Sequence, residues 1–306
     1  MKRQANFSIS SEAKLSSKDV PDLVSLLKDA NDILIEEPNY QVLKSDKPIV
    51  FVGDTHGDIE TTEKIMKKFL GTHLLVFLGD YVDRALVDLG SIKNVSYILD
   101  KKVNHNDIVI LRGNHEFEYL FEYYGFGSEL AQIDNSDKTL LKHFRDVFSN
   151  LPYVAVTENG LIALHGGIPD IDSADEIKKL PKGLLNYEAN KVVLQIVWND
   201  NICDSKARLG SEGFLDGNRD GDDRFLLYGE PYFSKKMDLL GKNVLVRGHD
   251  YREKGYSLDD RILTIFSSRS SQKYVDSGRL KGVYVAVLDS QEIVKTAKNL
   301  KIEQIK

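Results

Sequence analysis

Two features of the sequence predict an α/β fold. Short runs rich in Val, Ile and Leu recur along the chain, and helical stretches alternate with the first of them. The runs at 48–53, 74–79, 107–111, 153–157, 161–164, 243–247, 261–266 and 282–288 read as strands. The stretches 58–70, 86–101, 115–124 and 138–148 read as helices. Residues 19–36 put Val20, Leu23, Leu26, Leu27 and Ile33 near helical spacing, which predicts an amphipathic helix ahead of the first strand. The early alternation implies βαβ units, and the later strands imply hairpins.

Residues 1–17 read as a loose polar arm. No linker divides 18–306, so a single catalytic domain is expected there. The segment 199–224 is rich in Asn, Asp, Gly and Arg and reads as a long surface loop.

A chain of 306 residues can bury a core without covalent staples. Its one cysteine, Cys203, allows no intrachain disulfide, which fits a reducing compartment. The formal net charge of −6 argues against nucleic-acid and membrane partners, which want a basic face. No apolar run approaches the roughly 20 residues of a membrane span. Residues 1–20 also lack the apolar stretch of a secretory signal. A cytoplasmic protein is expected.

The informative residues follow the strands. The run 48–52 leads into Gly53-Asp54-Thr55-His56-Gly57-Asp58, and 74–78 into Gly79-Asp80-Tyr81-Val82-Asp83-Arg84. The run 108–111 leads into Arg112-Gly113-Asn114-His115-Glu116. Later, 161–164 leads into His165-Gly166-Gly167, and 243–246 into Arg247-Gly248-His249-Asp250. Taken singly, an Asp after a strand is usually a turn former, and a His there a structural hydrogen-bonding residue. Five such ends together make a ligand set, at the place where α/β sheets bind ligands. Four of the seven histidines lie in these motifs; His73, His105 and His143 do not and read as surface or packing residues.

Oxygen and imidazole ligands without thiolate suit Mn, Fe or Zn. Asp54 and His56, two apart on an extended segment, could reach one ion. Asp80 could bridge to a second, completed by Asn114, His165 and His249. Two metals about 3.5–4 Å apart would clamp a phosphoryl group and make hydroxide available near neutral pH. His115, next to a ligand, is placed to protonate a leaving alkoxide, with Asp83 orienting its ring. Arg84 and Arg224 are candidates to grip phosphate oxygens, and Arg112 is equally attractive from the residues alone.

These motifs resemble the signature of the phosphoprotein phosphatase family, the serine/threonine protein phosphatases and calcineurin among them. The three Asp and Asn motifs and the two later His motifs occur in the family's order. Tyr124-Gly125-Phe126, residues 144–152, Trp198-Asn199-Asp200 and Asp223-Arg224 extend the likeness from about residue 20 to 290. The resemblance implies a central β-sandwich flanked by helices, the four-layer α/β/β/α metallophosphoesterase fold. It implies two divalent metal ions, held by Asp54, His56 and Asp80 on one side and by Asp80, Asn114, His165 and His249 on the other. It implies His115 with Asp83 as general acid, and Arg84 and Arg224 as phosphate clamps, with Arg112 ranked below them; Asn114 would also touch the phosphate. The expected activity is hydrolysis of phosphomonoesters on proteins or peptides by a metal-bridging hydroxide. By analogy, manganese should restore it best, with iron or zinc as the other family metals.

Ala85 stands where the family usually has glycine, a strained choice if φ is positive there. Ser267-Ser268-Arg269-Ser270-Ser271-Gln272 replaces the family's Ser-Ala-Pro-Asn-Tyr-Cys. Without that aromatic and cysteine, poor sensitivity to cyclic peptide toxins is expected. A dinucleoside polyphosphate hydrolase on the same core is the alternative. A nucleic-acid phosphodiesterase fits less well, since Glu116 and Tyr251 replace an Asp and a His typical of those relatives. Asp216 to Gly221 mimics half of an EF-hand loop, but its twelfth position is Leu227. Trp198 reads as a packing anchor, and Cys203 carries no predicted chemistry.

Overall fold

The computed structural model describes residues 9–134, 138–202, 209–210, 213, 226–252, 254–270, 281–289 and 291–306. In chain order, the first half contains α1 (Val20–Glu36), β1 (Tyr40–Val42), β2 (Ile49–Val52), α2 (Ile59–Phe69), β3 (Leu74–Phe77), α3 (Gly90–Asn104) and β4 (Ile108–Ile110). The three helices α4 (Glu118–Tyr123), α5 (Phe126–Ile133) and α6 (Thr139–Ser149) follow. Next come β5 (Val154–Val156), β6 (Leu161–Leu164), α7 (Ala174–Lys178), α8 (Lys191–Trp198), β7 (Asp200–Asn201), β8 (Leu227–Tyr228) and α9 (Glu230–Leu239). The last strands are β9 (Val244–Arg247), β10 (Gly255–Ser257), β11 (Ile262–Thr264), β12 (Tyr284–Leu288) and β13 (Lys301–Gln304).

Two sheets stack face to face. One has the order β13-β12-β2-β3-β4 and the other β1-β5-β6-β9-β11-β10. In the first, β2, β3 and β4 are parallel, so their carboxyl ends share one edge. In the second, β6, β9 and β11 are likewise parallel. The hairpins expected late in the chain are real for β5–β6, β10–β11 and β12–β13. Between β6 and β9 the chain instead passes through α7, α8 and α9, and such a crossover makes the pair parallel.

Strand alternation divides the core into three layers. Val50 and Val52 of β2 pack with α1, α2, α3, α5 and α6, joined by Phe77 and Val285. Ile49 and Phe51 point the other way and meet Ala163, Val246 and Leu263 of the second sheet. The outer face of that sheet, including Ile162, Leu164 and Leu245, packs on Val193 and Ile196 of α8 and Phe233 and Met237 of α9. Helix, sheet, sheet and helix therefore form four layers, as the family resemblance implies.

Several boundaries differ from the sequence reading. The helix expected from residue 86 starts at Gly90, because Leu89 is left-handed at φ 53° and ends the preceding turn. The stretch 115–124 is a 3-10 turn, Asn114–Glu116, followed by α4. Within the expected polar arm, Ile9 is buried in the first core layer and Ser11 donates to Glu63. No helix among the described residues is long and apolar enough to cross a membrane.

Candidate metal centre

The carboxyl ends of β2, β3, β4, β6 and β9 meet at the seam between the sheets. Asp54, His56, Asp80, Asn114, His165 and His249 gather there, all buried. The backbone bends sharply to bring them in. His56, Asp80, Asp83, Arg84 and His249 all have positive φ, between 39° and 70°. Non-glycine residues rarely adopt that region, and such strain concentrates at functional sites. Ala85 is not among them; the left-handed residues are the two before it, so alanine carries no such cost.

Glycine allows the closest approaches. A Cβ on Gly248 would lie 2.2 Å from Asp54 Oδ1, and one on Gly113 would lie 2.3 Å from Asp80 Oδ1. With no side chain in the way, the His249 N–H donates to Asp54 Oδ1 at 2.8 Å and the His115 N–H to Asp80 Oδ1 at 3.0 Å.

His56 and His165 are each oriented by one ring nitrogen and offer the other. His56 Nδ1–H donates to the Val82 carbonyl at 2.9 Å, which turns Nε2 toward Asp80 Oδ2 at 3.5 Å and Asp54 Oδ2 at 3.8 Å. His165 Nδ1–H donates across the seam to the Leu78 carbonyl at 3.0 Å, leaving Nε2 3.3 Å from Asp80 Oδ1. Asn114 Oδ1 lies 2.8 Å from His165 Nε2 and 3.2 Å from His249 Nδ1. Trp198 packs edge-on against the His249 ring, with centroids 5.4 Å apart, as a packing anchor should.

Among the described residues, two groups have the proximity that a metal ion needs: His56, Asp80 and His115, and Asp80, His165 and His249. They share Asp80. Asp54 stands beside the first group, and its buried Oδ2 has no hydrogen-bond partner. A fully buried carboxylate oxygen without a donor is costly, and a cation would satisfy it. The Asn114 amide would satisfy the imidazoles by donating if turned over. With its oxygen inward, it offers a neutral oxygen donor to a cation instead. The donors present, carboxylate, amide oxygen and imidazole, fit divalent cations.

The electrostatics agree. Burial, reinforced by Arg84, holds His56 well below the usual imidazole range, in the neutral form that binds metals. Burial raises the Asp54 carboxyl to about 6, with Asp80 repulsion adding to it against the pull of His165. Burial also opposes charge on Asp80 and His165, but their mutual attraction overrides it. Asp80 stays well below the carboxylate range and His165 rises to about 9. Carboxylates that hold a proton on a buried imidazole would hold a metal ion in the same place.

At the rim, His115 Nδ1 lies 2.6 Å from Asp83 Oδ2. Asp83 Oδ1 accepts the Phe126 N–H at 2.9 Å, and the Asp83 N–H donates to Ser91 Oγ at 3.0 Å. Arg84 is exposed and spans the mouth, with Nη1 3.1 Å from His56 Nε2 and Nη2 3.3 Å from His115 Nε2. Arg112 points away from the site. It is buried, lies 3.4 Å over the Phe117 ring and donates to the Tyr153 hydroxyl and the Glu116 carbonyl. Arg224, Cys203, Ser271, Gln272 and the Asp216–Gly221 segment lie outside the described residues.

The sequence motif contains Glu116 but does not reveal its part in building the site. The Glu116 carboxylate accepts N–H bonds from Asp80, Tyr81 and Gly113, at 2.8, 2.7 and 2.9 Å. It ties the second strand-end loop to the third. Burial and Asp80 repulsion raise it to about 7.

The calcineurin-like phosphoesterase family matches residues 47–260 of this chain. That span contains every strand-end motif. The chain belongs to the calcineurin-like phosphoesterases. It is a phosphoester hydrolase with a metal-binding centre. The structure of a protein serine/threonine phosphatase from Saccharomyces cerevisiae, with similarity to human phosphatase PP5, has the same fold. It superposes with a TM-score of 0.76 at 21% identity, over 95% of this chain and 90% of that one. A metallophosphoesterase from Sphaerobacter thermophilus matches with a TM-score of 0.42 at 10% identity, over 86% of this chain and 89% of that one. In this phosphoesterase the shared carboxylate Asp80 lies between the two ligand groups, where a dinuclear centre needs it.

Proposed function

We propose that this phosphoesterase is a serine/threonine protein phosphatase that hydrolyses phosphomonoesters on cytoplasmic proteins or peptides. The observation that carries the reading is the His115–Asp83 pair, 2.6 Å apart, on the rim of the shared-carboxylate centre and next to Arg84. A phosphomonoester of serine or threonine has a poor alkoxide leaving group, and such a group needs a proton. The likeness in fold to the yeast structure, itself described as a protein serine/threonine phosphatase, supports the choice of substrate.

In this reading Asp54, His56 and Asp80 hold one divalent cation, and Asp80, Asn114, His165 and His249 hold the other. Bound there, the two cations, with manganese the expected pair, supply charge to the phosphoryl group and a nucleophile at neutral pH. His115 holds the proton destined for the leaving oxygen. Asp83 fixes the ring through Nδ1, and Phe126 and Ser91 fix Asp83 in turn. Arg84, exposed and within reach of both imidazoles, turns to grip phosphate oxygens. Arg224 is the second grip that the family resemblance implies, and 18–306 is the catalytic domain, against which Ile9 of the preceding arm packs.

The test compares turnover of phosphoserine and phosphothreonine peptides with that of a dinucleoside tetraphosphate, after chelation and manganese add-back. Preference for the peptides supports the reading. Preference for the dinucleotide would assign the core to small-molecule hydrolysis instead.

A further inference from the structure

The segment after β11 departs from the protein-phosphatase pattern, and its described part is tied to the first metal loop. The Ser267 N–H donates to the Asp54 carbonyl at 3.0 Å, and Ser267 Oγ accepts the Gly53 N–H at 2.9 Å. Two residues on, Arg269 converges on Asp58. Its N–H and Nε donate to Asp58 Oδ2 at 2.7 and 3.0 Å, and Nη2 donates to Oδ1 at 2.6 Å. Nη2 also lies 2.8 Å from Glu60 Oε2. The Asp58 side chain is fully buried, whereas that of Arg269 is a third exposed.

This is more than a helix cap needs. Asp58 caps α2 through the Thr61 N–H at 3.2 Å and accepts the Thr61 hydroxyl at 2.7 Å, and those bonds still leave room on the carboxylate. The fork of Arg269 fills it and anchors the end of the loop from outside. That anchor matters because the loop is strained: His56 sits at φ 39° and Gly57 at φ 67°. The loop's inner side is held by N–H donations from Thr55 and His56 to the Asp80 carbonyl and from Gly57 to that of Tyr81. Its outer side is held by Ser267 and Arg269. Asp58, two residues beyond His56, is the point at which the outer contacts meet this loop.

We propose that Arg269 is a positioning residue for the first metal pair, Asp54 and His56, acting through Asp58. This inference rests on the two-metal reading above.

The test is calorimetric titration of metal-stripped, full-length protein with manganese. Arg269→Gln should weaken one of the two sites by about 10–100-fold and leave the other within about twofold. Arg269→Lys, a cation without the fork, should recover part of the loss. In an Asp58→Asn background, Arg269→Gln should add less than about twofold, since both changes break the same link. Two unchanged manganese affinities alongside a lower melting temperature of the metal-free protein would make the pair a structural ion pair only and overturn the proposal. Equal weakening of both sites would overturn it too. Wild-type protein that takes up no manganese would remove the two-metal reading and this inference together.

Discussion

The strands of the sandwich begin and end in different ways. At their starts, Ile49, Leu74, Leu161 and Val244 are buried apolar residues, facing more of the same across the seam. At their ends, only a few residues on, Asp54, Asp80, His165 and His249 are just as buried, yet are polar. Three of those four ends also twist into left-handed backbone, at His56, Asp80 and His249. Burying apolar area stabilises the fold, whereas burying carboxylates and imidazoles opposes it unless something compensates. The difference teaches that the strand bodies supply the stability that holds the strand ends in an unfavourable arrangement. The function lies in what that arrangement waits to bind.

Substitutions at the two kinds of position should therefore separate metal content from stability. Asp80→Ala should have the largest effect, abolishing both metal sites and turnover in a protein that still folds. Elemental analysis of the dialysed variant checks it, and one retained metal would show that Asp80 is not shared. His115→Asn should keep both metals and lower kcat about 10²–10⁴-fold for a phosphoserine peptide. The loss should be smaller for p-nitrophenyl phosphate, whose leaving group needs no proton; equal losses would remove the proton-donor role.

Phe51→Ala, in the seam between the sheets, should do the converse. It should destabilise the fold by about 3–5 kcal/mol in denaturant titrations, while the folded fraction binds metal normally. Loss of metal at unchanged stability would blur the contrast between body and end. Arg84→Ala should have the smallest effect, weakening inhibition by inorganic phosphate about tenfold with metal content intact, the size expected for one charge-assisted contact. Unchanged inhibition would place Arg84 outside the substrate site.

The strand ends were legible because each motif combines a glycine with a ligating residue directly after an apolar run. All six expected metal ligands come together for that reason. The two arginines show where sequence reasoning stops. Arg84 and Arg112 both flank a motif, but only the packing of Phe117 and Tyr153 turns Arg112 inward. The bracing role of Glu116 was hidden because its three N–H donors come from two loops that approach only in the folded chain. The edge strand β13, Lys-Ile-Glu-Gln, lacks an apolar run, and its pairing with β12 comes from tertiary contact. Helix α8 has too few polar residues over its short length to reveal a helical period.

The central claim, a pair of cations sharing Asp80 where five strand ends meet, is tested most directly by anomalous diffraction from manganese-soaked crystals. Two peaks should appear, one against Asp54, His56 and Asp80 and the other against Asp80, Asn114, His165 and His249. A lone peak, or manganese bound anywhere away from Asp80, would contradict it.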